Sequence, residues 1–563
     1  MTRRVMLGVL LVLGLSLSLL SQNAQEIYQR ALVQEQAAGK LPQAIELYMQ
    51  AAKEAGKDRT LAAKALIRAA GSQEKLGRPE AADVYAEVMR MYPEQREQAQ
   101  LAQNRLAALK PAPQAAPKGA PGAGTDVSAV VSPMFEEYCV QCHNQKKRVG
   151  GLVLDTLNTK NVGENTVVWE NVLRRLRARR DPPSGLPRPD QAVFRSVVSR
   201  LEAALDQAYP TNASLMADRA TDDELAIRIA TFIWGAAPDA ALLEDARLGR
   251  LHDPAVIDRQ VQRMLRDPKS INLVTSFFEP KFGVPSLDSS KPDPAIFPQF
   301  DPALLPAMRT ETRLFLDSQV RENHGALDLW TANYSFINER LARYYGIPNI
   351  LGNEFRRVTL NGNRRAGLLG QGSVLTVTSQ SNRTSPVTRG MWVMRNFLGT
   401  FPPDPPPNVP PLPSSARNDE RSMREAMAAH AANPACMNCH VIFDPLGLAL
   451  ENFDGVGQWR LADAGVTIDA TGAFIDGSRF DGPAELRAGL LKYRDAYYSS
   501  ITQELLGYAL GRKARSWRLY DYEMPSVRAV LRTASADDYR WSSIVSGIVK
   551  SAPFQMKTIP PFL

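Results

Sequence analysis

SPMFEEYCVQCHNQKKRVGGLVLDT, residues 132–156, and PACMNCHVIFDPLGLALENFDGVGQWR, residues 434–460, each enclose a Cys-x-x-Cys-His pentad: Cys139, Cys142 and His143 in the first, Cys436, Cys439 and His440 in the second. In such a pentad two thiols at fixed spacing add to the two vinyl groups of one haem, and the adjoining histidine turns under the porphyrin to ligate iron. The two pentads use all four cysteines of the chain and two of its five histidines, so no thiol is left over for a disulfide. Two covalently bound haem c groups are therefore expected, with His143 and His440 as iron ligands. The competing readings are a zinc site shared by the four cysteines, which leaves both histidines unexplained, and a thioredoxin-like pair, which lacks a βαβ context and does not need the histidine.

Working outward, the N-terminus has Arg3 and Arg4, an apolar run from Val5 to Leu20, and small or polar residues from Ser21 to Ala24. This is the pattern of a secretory signal peptide over residues 1–24, with an uncleaved membrane anchor as the alternative. The mature chain is expected to be exported, to the periplasm or beyond, and to carry no transmembrane domain. The whole chain has 563 residues, 44% of them apolar and 22% charged, and a net charge of +8, which fits a folded protein of several domains. Its basic residues are scattered apart from Arg174–Arg180, so no nucleic-acid footprint is read.

Residues 26–109 are rich in Ala, Leu, Glu, Gln and Lys with helical periodicity. Tyr28, Gly39, Ala44, Ile45 and Tyr48 are echoed by Ala65, Gly77, Ala81, Ala82 and Tyr85, and Gly39 and Gly77 are placed as turns between paired helices. This resembles tetratricopeptide repeats, and such an array offers a groove for a partner as well as a surface that only packs. Residues 110–126 form a Pro/Ala/Gly linker. A compact segment with the first pentad follows at 127–209, then a helical middle region at 220–396, a proline-rich strap at 397–415, and the second pentad with a helical tail at 416–563. Strand signals are sparse, so the fold class is mainly α.

The sixth iron position is open in this reading. The remaining histidines are His252, His324 and His430, and the candidate thioethers are Met134, Met216, Met423, Met427 and Met524. After the second pentad, Asp444-Pro445-Leu446-Gly447 reads as a turn that leads the chain off the proximal helix. Glu451, Asn452 and Asp454 are polar groups set among Leu448, Leu450 and Phe453, placed either near a haem edge or in solvent. Arg389 and Arg460 are candidate partners for a propionate.

The first stretch, together with VWENVLRRLRARRDPPSGLPRP (168–189), resembles the planctomycete-type cytochrome c domain, which implies a cytochrome c-like domain at 127–209. That family ends the helix after its first haem loop in Met-Pro-Pro, and its Met is the implied distal ligand. Here the matching positions are Asp181, Pro182 and Pro183. Further on, LAIRIATFIWGAAPD (225–239), VQRMLRDP (261–268), FPQFDPAL (297–304), FINERLARYYGIP (336–348), RTSPVTRGMWV (383–393), the second pentad in its context, DATGAFIDGSRFDGP (469–483), LLGYALGR (505–512) and IVKSAPFQM (548–556) are similar to modules that accompany this domain in large exported proteins. Those modules are catalogued as domains of unknown function 1592, 1588 and 1585. A module often found between the cytochrome domain and the middle region is missing, and helical repeats stand in front instead. The second pentad also resembles, more distantly, the haem segment of dihaem cytochrome c peroxidases. The expectation is an exported dihaem cytochrome that passes electrons to an exported redox partner. The alternatives are a dihaem oxidoreductase with one open haem, and a scaffold that docks a partner through its repeats and senses redox state through its haems.

Overall fold

The computed structural model describes residues 24–35, 41–56, 58–75, 80–109, 124–179, 181–182, 186–209, 219–360, 362, 364–400, 422–430, 434–463, 465–512 and 519–556. The signal-peptide reading, the turns at Gly39 and Gly77, the Pro/Ala/Gly linker up to residue 123, the strap from Phe401 to Pro413, and Met216 lie outside them. The chain is mainly α and divides into two compact units, with the helices up to residue 109 in one and residues 124–556 in the other. No helix among the described residues is long and apolar enough to cross a membrane.

The first unit is a row of antiparallel helices: α1 (24–35), α2 (Leu41–Glu54), α3 (Arg59–Lys75), α4 (Glu80–Met91) and α5 (Arg96–Leu109). Its buried positions are mostly alanine, so the helices approach closely, and the two buried aromatic side chains among its described residues are Tyr48 and Tyr85. Each tyrosine hydroxyl donates to a glutamate on the preceding helix, Tyr48 to Glu35 Oε2 at 2.7 Å and Tyr85 to Glu74 Oε2 at 2.8 Å. The recurring tyrosine thus marks a recurring buried hydrogen bond, which satisfies a hydroxyl that burial would otherwise penalise.

The second unit starts with α6 (Ser128–Tyr138), α7 (Thr166–Arg177) and α8 (Gln191–Ala208). They enclose a small core of Val131, Phe135, Trp169, Leu173, Leu201 and their neighbours. Asp190 caps α8 by accepting from Ala192 N and Val193 N, whereas before α6 Asp126, one residue ahead of the cap position, accepts from Ser128 N at 2.9 Å. A much larger core runs from Ala220 to Phe554 and draws on residues before and after the proline-rich strap. Trp330 meets Phe397 and Tyr497 edge-on at 4.9 and 5.7 Å, and Lys281 pairs with Glu504 at 2.6 Å. Strands are confined, among the described residues, to three antiparallel pairs: β1 (Tyr334–Ile337) with β2 (Arg356–Thr359), β3 (Ala462–Asp463) with β4 (Val466–Thr467), and β5 (Thr471–Ala473) with β6 (Arg479–Asp481).

Buried charge ties the small core to the large one. Arg528, on the helix Met524–Ala534, is 2% exposed; its Nη1 donates to both oxygens of Glu170 in α7 at 2.9 and 3.0 Å, and its Nε donates to Asp206 in α8. Arg177 Nη1 donates to Ser499 Oγ at 3.0 Å, and Arg188 Nη1 to Ile475 O at 3.1 Å.

The second pentad sits on the helix Pro434–Leu448, packed against the helix Pro386–Asn396. The approach is close enough to demand glycine on both sides. A Cβ added at Gly390 would lie 1.9 Å from Phe443 O, and one added at Gly447 would lie 1.8 Å from Pro386 O. Gly447→Ala is therefore expected to destabilise the protein by about 1–3 kcal/mol or more, lowering its urea denaturation midpoint. An unchanged midpoint would contradict this packing.

Candidate haem sites

At the first pentad the chain leaves α6 in a tight turn. Cys139 N and Val140 N both donate to Phe135 O, at 2.9 and 2.8 Å, and Cys142 N and His143 N both donate to Cys139 O, at 3.1 and 2.9 Å. The turn is held from the other side by Asn144, whose Nδ2 donates to Val140 O at 2.7 Å while its Oδ1 accepts from Lys146 N and Lys147 N. Cys139 and Cys142 are not bridged to each other; Cys139 is buried and Cys142 half-buried. Burial, then the charge of Asp181 and the neighbouring Cys142, push the Cys139 thiol up to about 12.

His143 Nδ1 lies 2.9 Å from Val149 O. A carbonyl only accepts, so Nδ1 carries the proton and the Nε2 lone pair is left to face a metal. This is the pose expected of a proximal ligand whose ring is fixed through its other nitrogen. The wall behind Cys139 is apolar, formed by Val131, Met134, Phe135, Leu154 and Trp169. Trp169 stacks on Phe135 at 5.9 Å and is fully buried, yet its indole N–H has no acceptor among the described residues. Two unbridged thiols, an oriented imidazole, an apolar wall and an orphaned donor are together what a covalently bound haem with an anionic edge requires.

Asp181, at the position of the implied distal Met, is held by Arg175, whose Nη1 donates to Asp181 Oδ2 at 3.1 Å. Its carboxylate is thus engaged beside Cys139 and is a hard ligand ill-suited to ferrous haem. Met134, the candidate substitute, is buried in the α6–α8 core in the same cluster as Cys139.

At the second pentad, Cys436, Cys439 and His440 occupy helical positions i, i+3 and i+4, which fall within one turn. The side chains of Cys436, Cys439 and His430 lie outside the described part. The helix continues through Asp444-Pro445-Leu446-Gly447 to Leu448, which corrects the expectation of a turn there. Pro445 removes one N–H from the ladder, and packing against the helix Pro386–Asn396 holds the segment helical. As a result Asp444 stands one turn beyond His440, and His440 Nδ1 lies 2.9 Å from Asp444 Oδ2. Burial pushes the Asp444 carboxyl up to about 6, offset in part by the hydrogen bond and charge of His440.

The polar residues after this helix bind one another. Arg389, 1% exposed, donates through Nη1 to Leu450 O and Phe453 O at 2.8 and 2.7 Å and through Nη2 to Asp454 O at 2.6 Å. Glu451 accepts from Thr384 Oγ1 at 2.8 Å and from Arg460 Nη2 at 3.0 Å. Asp454 Oδ1 accepts from Val456 N and Gln458 N, and Asn452 Nδ2 donates to Arg460 O. These residues are neither solvated acids nor spare cations for a propionate; they form the turn itself.

The other candidate ligands are dispersed. His252 lies 3.7 Å from Asp222, and His324 sits between Glu322 and Asp328 at 3.1 and 3.0 Å. Met524 packs in the large core, whereas Met423 and Met427 pack against Leu448 and Val387 beside the second pentad's helix. Sequence reading missed Asp444 as the partner of His440, although a carboxylate four residues on in a helix is a legible signal.

Three family models match successive stretches of the chain, each described as a protein of unknown function: DUF1592 over residues 220–347, DUF1588 over 365–463 and DUF1585 over 476–554. The second pentad falls inside the middle match. No curated protein and no solved structure matches the chain.

Proposed function

From residue 220 to residue 554 the chain belongs to the planctomycete cytochrome c-type family that carries these three domains, and from that premise we propose that it acts in electron transfer as an exported dihaem c-type cytochrome. The observation that carries the reading is the pose of His143, with its Nδ1 proton given to Val149 O beside two unbridged thiols. Cys139, Cys142 and His143 would hold one haem, and Cys436, Cys439 and His440 the other. The haem, when bound, supplies a one-electron iron couple whose potential is set by axial ligands, hydrogen bonds and burial.

What the chain itself does is hold and tune. The α6 turn presents both thiols on one loop, Val149 O fixes the first imidazole, and Asp444 fixes the second. An exported redox protein is the proposed partner, with the helical repeats of residues 26–109 as a docking element. A covalent attachment suits an exported protein because the cofactor cannot be lost by dissociation.

A second reading, an oxidoreductase in which one haem keeps an open sixth position, is favoured by the engagement of Asp181 with Arg175. That pairing leaves the position of the family's distal Met filled by a residue turned to a cation.

Two tests follow from this. Cys139→Ala and Cys439→Ala should each lose full covalent attachment at one site only, read as haem retained by the denatured chain; loss at both sites from either variant, or release of all haem from the unmodified protein, contradicts the reading. The unmodified protein should bind added cyanide at its first haem, and Asp181→Met should abolish that binding and give a low-spin spectrum. Two low-spin haems that ignore cyanide, unchanged by the substitution, would remove the support for the oxidoreductase reading.

A further inference from the structure

The two pentad histidines are oriented by acceptors of different charge. His143 Nδ1 faces the neutral Val149 carbonyl at 2.9 Å, and His440 Nδ1 faces the Asp444 carboxylate at 2.9 Å. We propose that Asp444 is a positioning residue that makes His440 the stronger electron donor, and so holds down the reduction potential of the second haem. The proposal rests on the reading of His440 as an iron ligand.

Three features make this contact a built one. First, the acceptor has no alternative place to go: Asp444 is on the same helix, one turn from His440, and is only 9% exposed. Second, the helix is clamped on both flanks. Gly447 abuts Pro386 O on one side, and Gly472 of β5 approaches Pro445 O on the other, where an added Cβ would lie 3.0 Å away. The helix backbone that carries the pair is thus closely packed on the turn that follows Asp444. Third, the carboxylate's other oxygen, Oδ1, is buried with no hydrogen-bond partner among the described residues. With no competing donor among the described residues, its electron density remains directed to His440.

The physical consequence follows from the donor inventory. A hydrogen bond to a carboxylate withdraws the Nδ1 proton further than one to a neutral carbonyl, because charge-assisted bonds are about twice as strong. The ring then gains basicity at Nε2, which favours ferric over ferrous iron. At the first pentad the carbonyl gives no such push. One chain therefore carries two proximal histidines of unequal donor strength.

The test uses the full-length haem-loaded protein and compares the unmodified chain with Asp444→Asn and Asp444→Glu. An amide keeps the size and an acceptor oxygen but removes the charge. In Asp444→Asn the equilibrium constant for reducing one haem should rise about tenfold or more, which for a one-electron couple is about 59 mV per tenfold. The other haem's potential should stay fixed as an internal reference, and Asp444→Glu should restore the original value in part. Where Asp444→Asn fails to load haem, Asp444→Ser removes the charge with less bulk and should show the same shift. A fully loaded Asp444→Asn or Asp444→Ser protein with both potentials unchanged overturns the proposal. An unmodified chain that retains one haem after denaturation overturns instead the dihaem reading on which it rests.

Discussion

The guanidinium of Arg389 is the constraint around which the second half of the chain is arranged. It is buried, and three of its contacts are backbone carbonyls of one short turn, Leu450, Phe453 and Asp454, with a fourth to Ser379 Oγ at 3.1 Å. Burial lowers its pKa to about 10, with Glu451 opposing the shift. A charge in this position is tolerable only because carbonyl dipoles and one carboxylate replace its water. Two of these carbonyls also accept from the backbone, Leu450 O from Phe453 N at 2.9 Å and Asp454 O from Gly457 N at 3.3 Å, so the guanidinium is a second donor that braces a turn already hydrogen-bonded. Arg389 therefore fixes where the helix Pro434–Leu448 ends, and with it the rotation of Asp444 one turn earlier and of His440 two turns earlier.

A similar logic holds the segment with the first pentad in place. Arg528 faces Glu170 and Asp206 from one residue, and Arg188 reaches Ile475 O in the turn between β5 and β6. The same strand pair lies against the second pentad's helix, where Gly472 of β5 meets Pro445 O. The 127–209 segment and the rest of this unit are therefore joined by buried ion pairs and by hydrogen bonds from arginine side chains, whose loss leaves a charge without its partner.

Much of this was legible in the sequence, and the remainder fails for identifiable reasons. Helical periodicity reveals the mainly α fold, and the tyrosine repeat at Tyr48 and Tyr85 marks equivalent buried hydrogen bonds. The pentads are visible because covalent chemistry fixes their spacing. What spacing does not reveal is partnership across sequence distance: Arg389 looks like a surface cation until residues 450–454 fold onto it. Glu451, Asn452 and Asp454 look like solvated acids and amides for the same reason. The turn expected at Asp444–Gly447 rests on the local preference of Asp, Pro and Gly, and tertiary packing through Gly390 and Gly447 overrides it. That override converts Asp444 from a turn residue into the acceptor for His440.

The central claim is that each pentad holds a haem through its two thiols. The most direct measurement is the intact mass of the purified chain after denaturation and removal of all non-covalent ligands. The account predicts the mass of the polypeptide plus two haem groups. A chain at the bare polypeptide mass, or one that carries zinc in place of haem before denaturation, contradicts it.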